Sequence, residues 1–598
     1  MSLLPHNRHT GLTRLIPYAT ARKRQVALIG VLATLSAAAP VAGWHLVEDA
    51  INNGIRDGNE RRLLVVVVAY VAINAAAWVL GTAAWLGLAS LGQRIVLELR
   101  RDLFEHLTSL SLRYFSKQKA GWIISRLTND VDALSDVLNQ GLTTLVVNTL
   151  TFLAAIAGLF LLDWRLGLVA LCVLPPGIVL TRWFQRVSHV AASDVRTRIA
   201  TVTAQLAESV AGMAVIQAFN RERAFQAEFD GLNEENRLAN VRVQKLYSVF
   251  FPAIELLGAI ATAAVIFAGA RFIGSGSMEI GTLIPAVGLL ALVFQPLQEL
   301  SELYGQVQAA NAAMDKISSV LDAEIDIADP PHARQLGRID GRLELDRVTF
   351  AYGSEPVLHS IELSVPPGGC IALVGESGGG KSTMAKLIAR FYDPDEGAVR
   401  VDGTDLREIE LRSYRRQLGV VLQDPFLFSG TIADNIRFAK PDASDEEVAA
   451  AADAIGVDRV AARLEGGLQH VVREGGSGLS AGERQLISIA RALLADPRIL
   501  ILDEATSNID RPSEILIERA FDRLLAGRTS IIIAHRLATV RRADEILVVE
   551  HGRIVQRGSE HELLAEEGSF RRLARSLHSD RLNGDGRPAV PARQTPAA

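Results

Sequence analysis

The stretch "CIALVGESGGGKSTMAKLIARF", Cys370 to Phe391, decides the fold of the second half of this chain. An apolar run ends at Val374, a glycine-rich turn follows, and a helical pattern begins at Lys381. Gly375, Glu376, Ser377, Gly378, Gly379, Gly380, Lys381 and Ser382 fit G-x-x-x-x-G-K-[ST] in the strand–loop–helix setting of a phosphate-binding loop. Glycines let successive backbone N–H groups turn inward on an anion. The following helix offers its positive N-terminal end to the same charge. Lys381 is placed to reach the β- and γ-phosphates of a nucleoside triphosphate, Ser382 to take Mg²⁺, and Thr383 stands beside them.

Downstream, "RILILDEAT" (498–506) reads as a buried strand ending in two carboxylates. Asp503 is placed to hold Mg²⁺ through water. Glu504 is placed to polarise an attacking water, as general base or as its orienter. Around these segments, from about residue 339 to 578, short β-branched runs alternate with Gly, Pro and Asp turns, the pattern of a soluble α/β domain. "DPPHARQLG" falls in a linker over 321–338.

The first half differs. Six apolar runs, at 26–46, 63–86, 142–162, 166–183, 249–270 and 280–298, have about the ~20 residues needed to cross a bilayer. Pro175 and Pro176 interrupt the fourth, which neighbouring helices can tolerate. The leading segment 1–25 and the long loops 87–141 and 184–248 are rich in Arg and Lys. Both termini and these loops are therefore expected on the cytoplasmic side of the cell membrane. "RIVLELRRDLFEHL" (94–107) has helical spacing, so the long loops are expected to be helical hairpins reaching roughly 40 Å past the membrane. "YFSKQKAGWIISRLTNDV" (114–131) and "GMAVIQAFNRE" (212–222) sit near their tips.

Composition agrees: 49% of the 598 residues are hydrophobic and the formal net charge is only -5. No basic tract points to nucleic acid. Two distant cysteines, Cys172 and Cys370, make no disulfide framework and suit a reducing cytosolic face. The tail 579–598 is small, polar and Pro-rich, reads as disordered, and is given no role.

Taken in order, these motifs resemble the ABC exporter half-transporters, over nearly the whole chain except its ends. The resemblance implies a membrane all-α six-helix domain (residues 26–320; type I exporter, or type IV ABC, fold) plus an α/β P-loop NTPase cassette (339–578). It implies an ATPase coupled to transport, with ATP and Mg²⁺ as cofactors. Tyr352 in "VTFAYG" matches the aromatic that stacks on adenine, and Gln423 in "VVLQDPFLF" the glutamine that contacts Mg²⁺ and faces the membrane domain. Asp510 in "SNID" matches the D-loop, and His535 in "IIIAHR" the switch histidine near the γ-phosphate. Two cassettes pair head to tail in this family, each ATP lying between one P-loop and the other chain's signature. The two hairpin-tip segments correspond to coupling helices.

One motif departs. "LSAGE" (Leu479, Ser480, Ala481, Gly482, Glu483) stands where the family has "LSGGQ". Ala481 adds a Cβ at a close approach, and Glu483 puts a carboxylate near the site, a penalty if it faces phosphate and of little effect if it faces solvent. An intact Glu504 beside an altered signature resembles the consensus-glutamate subunit of heterodimeric bacterial multidrug or lipid-type exporters. Its partner would then be a different half-transporter with a substituted glutamate. The alternative is a homodimer with two slightly altered sites. An importer on the same fold and an ATP-gated, non-pumping subunit are further readings; the second has no use for Glu504.

The cargo is expected to be an amphiphilic small molecule met in a lipid setting. Glu255, inside the fifth span, and Gln295, Gln298 and Glu299, at the end of the sixth, are candidates to face its cavity. Asn74 and Asn148 read as interhelical hydrogen bonds.

Overall fold

The computed structural model describes residues 11–503, 511–534 and 537–575. Contacts divide the chain into two compact units. One holds residues up to 109 and 119–323; the other holds Leu110–Gln118 and residues from 324 onward. The tail at 579–598 lies outside the described residues.

The first unit is helical. Lys23–Ile55, Glu60–Ser109, Ala120–Leu162, Trp164–Ala211 and Glu222–Gly274 are long and apolar enough to cross a membrane. The sixth expected span is the apolar head, Ile280–Pro296, of a helix that continues to Leu321; this head is shorter than the others. Helix Trp164–Ala211 continues unbroken through Pro175 and Pro176. At membrane depth no water can take up freed carbonyls, so losing a hydrogen bond at each proline costs less than opening the helix. Its start is set by Asp163, whose carboxylate accepts from the Arg165 backbone N–H at 2.7 Å. Helices pack closely where a side chain is missing: a Cβ on Gly288 would collide with the Trp44 indole.

Three helices far outrun the bilayer. Glu60–Ser109, Trp164–Ala211 and Glu222–Gly274 have 50, 48 and 53 residues. At about 1.5 Å per residue each is roughly 75 Å long, more than twice the hydrocarbon thickness. The last two lie side by side, and Arg198 pairs with Glu235 and Arg242 with Asp194 across them. Short helices Leu112–Lys117 and Met213–Ala218 stand where the two hairpin tips are expected.

The second unit is built on a six-stranded sheet. Its order is Arg553–Gly558, Glu545–Glu550, Cys370–Val374, Thr529–Ile533, Ile499–Asp503, Leu418–Val421. All pairs are parallel except the Arg553–Gly558 edge. Thr529–Ile533 is buried along its length, as a central parallel strand covered on both faces must be. An antiparallel sheet of four strands, from Pro356–Val365 to Thr404–Asp405, stands beside it. The linker is laid on this unit rather than free of it. Asp329 accepts from the Leu411 N–H at 2.8 Å, and the fully buried Arg390 donates to Ile409 O at 2.9 Å and reaches Ala328 O at 3.5 Å. Both cysteines are free; burial in its strand pushes the Cys370 thiol up to about 12, which leaves it inert.

Candidate nucleotide site

Parallel strands gather their carboxyl ends along one edge, where a ligand meets loops and helix N-termini. Strand Cys370–Val374 delivers the glycine loop to that edge. Gly375 (φ 143°) lies so close to Val549 O that a Cβ would strike it. Gly380 (φ 107°) is the N-cap of helix Lys381–Ile388, in a left-handed conformation that a side chain would strain. Lys381 opens the helix and is buried; its Nζ donates to Gly375 O at 2.8 Å and Glu376 O at 2.7 Å. Burial pulls its ammonium below the ordinary value, and the charge of Asp503 works against that. Asp503 ends its strand in register with Ile533, which itself pairs with Leu373. The acid, at the end of one strand, and the lysine, on the helix that follows another, therefore meet at one sheet edge. Ser382 is exposed at the helix start, and Gln423 is exposed two residues beyond strand Leu418–Val421.

Tyr352 follows strand Leu343–Ala351. Its hydroxyl lies 3.2 Å from Thr383 Oγ1, tying it to the helix that Lys381 begins. Lys386 Nζ lies 5.6 Å from its ring centroid, and Phe350 and Tyr392 meet the ring edge-on at 5.0 and 5.2 Å. Lys386 was not among the residues expected from sequence. Glu504, Asp510 and His535 lie outside the described residues; in the chain, Glu504 directly follows strand Ile499–Asp503 and His535 follows Thr529–Ile533 by two.

The signature forms a second group. Ser480 caps helix Ala481–Leu494: its hydroxyl accepts from the Glu483 N–H at 3.2 Å, and Glu483 Oε2 accepts from the Ser480 N–H at 2.9 Å. The Glu483 carboxylate also takes a bond from Arg463 at 3.0 Å. The acid is thus spent at a helix N-terminus, where negative charge is favourable. Leu479 and Gly482 are buried and Ala481 is half-buried. Glutamine serves a capping box as glutamate does. Glu483→Gln is therefore expected to leave the nucleotide affinity of the assembled dimer within about threefold, whereas Glu483→Ala keeps the Ser480 cap but loses the reciprocal bond, at about 0.5 kcal/mol. Titration with a fluorescent ATP analogue and thermal unfolding read the two effects. A tenfold gain in affinity for the glutamine variant would mean that the carboxylate opposes phosphate after all.

Among the membrane candidates, Asn148 Nδ2 donates to Glu299 at 2.6 Å across two helices, and Gln295 Nε2 donates to the same carboxylate at 3.2 Å. These three form one polar cluster centred on Glu299. Glu255 is exposed and shares no hydrogen bond with it. The side chain of Gln298 lies outside the described residues. Asn74 corrects the expectation: its amide donates to Tyr70 O at 2.8 Å, one turn back in its own helix. A carbonyl within reach on the same helix satisfies it without a partner helix.

Comparison with known proteins agrees with this architecture. The family model "ABC transporter transmembrane region" matches residues 26–297, and "ABC transporter" matches 358–507. The chain is 38% identical over 519 residues to the ABC transporter ATP-binding protein YknV of Bacillus subtilis, covering 87% of this chain and 85% of that one. It is 36% identical over 483 residues to the ATP-dependent lipid A-core flippase of Syntrophus aciditrophicus, covering 81% and 80%. A solved bacterial Atm1-family ABC exporter with ATP bound superposes with a TM-score of 0.77 at 26% identity, over 95% of this chain and 99% of that one. A membrane-spanning helical unit and an ATPase cassette on one polypeptide, matched along nearly their whole length, place this chain in the ABC transporter family as an exporter-type half-transporter whose ATP hydrolysis is coupled to transport.

Proposed function

We propose that this chain is half of a dimeric pump that uses ATP to carry an amphiphilic or hydrophobic compound across the cytoplasmic membrane, out of the cytoplasm or inner leaflet. The observation that carries the reading is the convergence of the glycine loop, Lys381 and Asp503 at one sheet edge, in a chain whose other half is long apolar helix. The flippase among its relatives supports a lipid-like cargo.

In this reading Tyr352 stacks on adenine, and backbone N–H groups from Gly375 to Thr383 hold the phosphates. Ser382, Asp503 and Gln423 offer only hard oxygen donors, a set that fits Mg²⁺ completed by water and phosphate. Mg²⁺, when bound, neutralises charge on the β- and γ-phosphates. Glu504 polarises the attacking water, His535 meets the γ-phosphate, and Asp510 faces the neighbouring cassette. ATP closing two cassettes must favour the closed state by several kcal/mol to turn the membrane half decisively, an estimate of about 5 kcal/mol.

The partner we propose is a different half-transporter, with an intact signature and a substituted glutamate; this chain then supplies Glu504 to the hydrolytic site and "LSAGE" to the other. A homodimer is the second reading, and the Ser480–Glu483 capping box favours it, because the altered acid is absorbed by its own helix and Arg463. Purification of the tagged chain from its native membranes, with mass spectrometry of what accompanies it, separates the two. A distinct six-span cassette protein in equal amount supports the asymmetric pair. This chain alone, as a dimer, replaces it with the homodimer.

A further inference from the structure

The segment Leu110–Gln118 is packed within the cassette unit, although its two ends lead into helices Glu60–Ser109 and Ala120–Leu162. The Ser111 hydroxyl donates to Asp326 Oδ2 at 2.8 Å, and Arg113 stands 4.0 Å from the same carboxylate. On its other side, the Arg113 guanidinium lies 5.8 Å from the centroid of the buried Tyr392 ring. Tyr392 meets Tyr352 edge-on, with centroids 5.2 Å apart and planes at 87°. Two contacts therefore join the ring proposed to carry adenine to a segment continuous with two membrane helices.

We infer that Arg113 is a positioning residue that reports adenine occupancy to the segment Leu110–Gln118, acting through Tyr392 on Tyr352. The inference rests on the ATP reading above. An exposed Arg–Asp pair alone is worth little, so the Asp326 contact does not explain the arrangement. A cation over a ring face depends on ring orientation, and so does an edge-to-face pair. Adenine stacked on Tyr352 restricts the tilt of that ring and with it Tyr392, which sets how firmly the guanidinium is held between the ring and Asp326. Arginine suits this place because its planar cation both stacks and pairs. The guanidinium shared by these two partners carries that change to the segment.

Hydrogen exchange of the full transporter in lipid nanodiscs tests this, in a Glu504→Gln background to hold the triphosphate. MgATP is expected to slow amide exchange in residues 110–125 by about fivefold. Arg113→Gln and Tyr392→Leu lose that protection while still binding ATP, measured in the same samples, and Tyr392→Phe, which keeps the ring, retains it. Inorganic tripolyphosphate with Mg²⁺ fills the phosphate loop without a base and gives no protection. Full protection in Arg113→Gln, or equal protection by tripolyphosphate, overturns the relay. Failure of the unmodified chain to bind ATP overturns the ATP reading instead.

Discussion

Lys381→Ala is expected to lower ATP turnover by about two to three orders of magnitude, the cost of removing a preorganised charge from a phosphoryl-transfer site. The ammonium is buried at the first position of the helix after the glycine loop and is held by two loop carbonyls. It is the positive charge brought to the sheet edge beside Asp503. Without it, the phosphates meet the Asp503 carboxylate with only backbone N–H groups to offset the repulsion, so binding falls together with turnover. Because Lys381 is buried, alanine also leaves a void; Lys381→Met keeps most of the volume and separates loss of charge from loss of packing. ATPase assays and direct nucleotide titration on both variants check this. Turnover within tenfold of the parent in the methionine variant would remove Lys381 from the mechanism.

Glu504→Gln is expected to stop turnover by a similar factor, about two to three orders of magnitude, while leaving ATP bound. An amide cannot take the proton of an attacking water, yet it changes neither the phosphate loop nor the proposed adenine platform. The two variants therefore divide binding from chemistry: Lys381→Ala fails at both, Glu504→Gln at one. The same variant bears on the partner. In an asymmetric pair it silences the whole complex, since only one site turns over. In a homodimer, mixed dimers holding one altered chain keep part of the activity. Unchanged hydrolysis would end the role given to Glu504.

The turn of the glycine loop was legible in sequence, because only glycine tolerates the conformations at Gly375 and Gly380. Asp503 was legible from four apolar residues before it, which the central sheet explains. The role of Glu483 was written in plain view as Ser480-Ala-Gly-Glu483, the S-x-x-E pattern of a capping box; comparison with a family signature drew attention to charge and away from helix physics. Asn74 was misjudged because sequence shows that an amide needs a partner, not which carbonyl lies nearer. Glu299 was seen, but that it draws both Asn148 and Gln295 depends on how helices pack. Packing of Leu110–Gln118 with the cassette unit is tertiary too, and no periodicity announces it.

The paired helices Trp164–Ala211 and Glu222–Gly274 have a mechanical meaning that their length alone supplies. A rod that projects roughly 40 Å from the bilayer turns a tilt of about 10° into a swing of roughly 7 Å at its tip. Run backwards, the same gearing lets a large, loose stroke at the tip become a small, forceful rotation among the spans. Packed side by side, the two rods resist bending better than either would alone. The pair works as a long-handled wrench: modest force at the handle, high torque at the jaw.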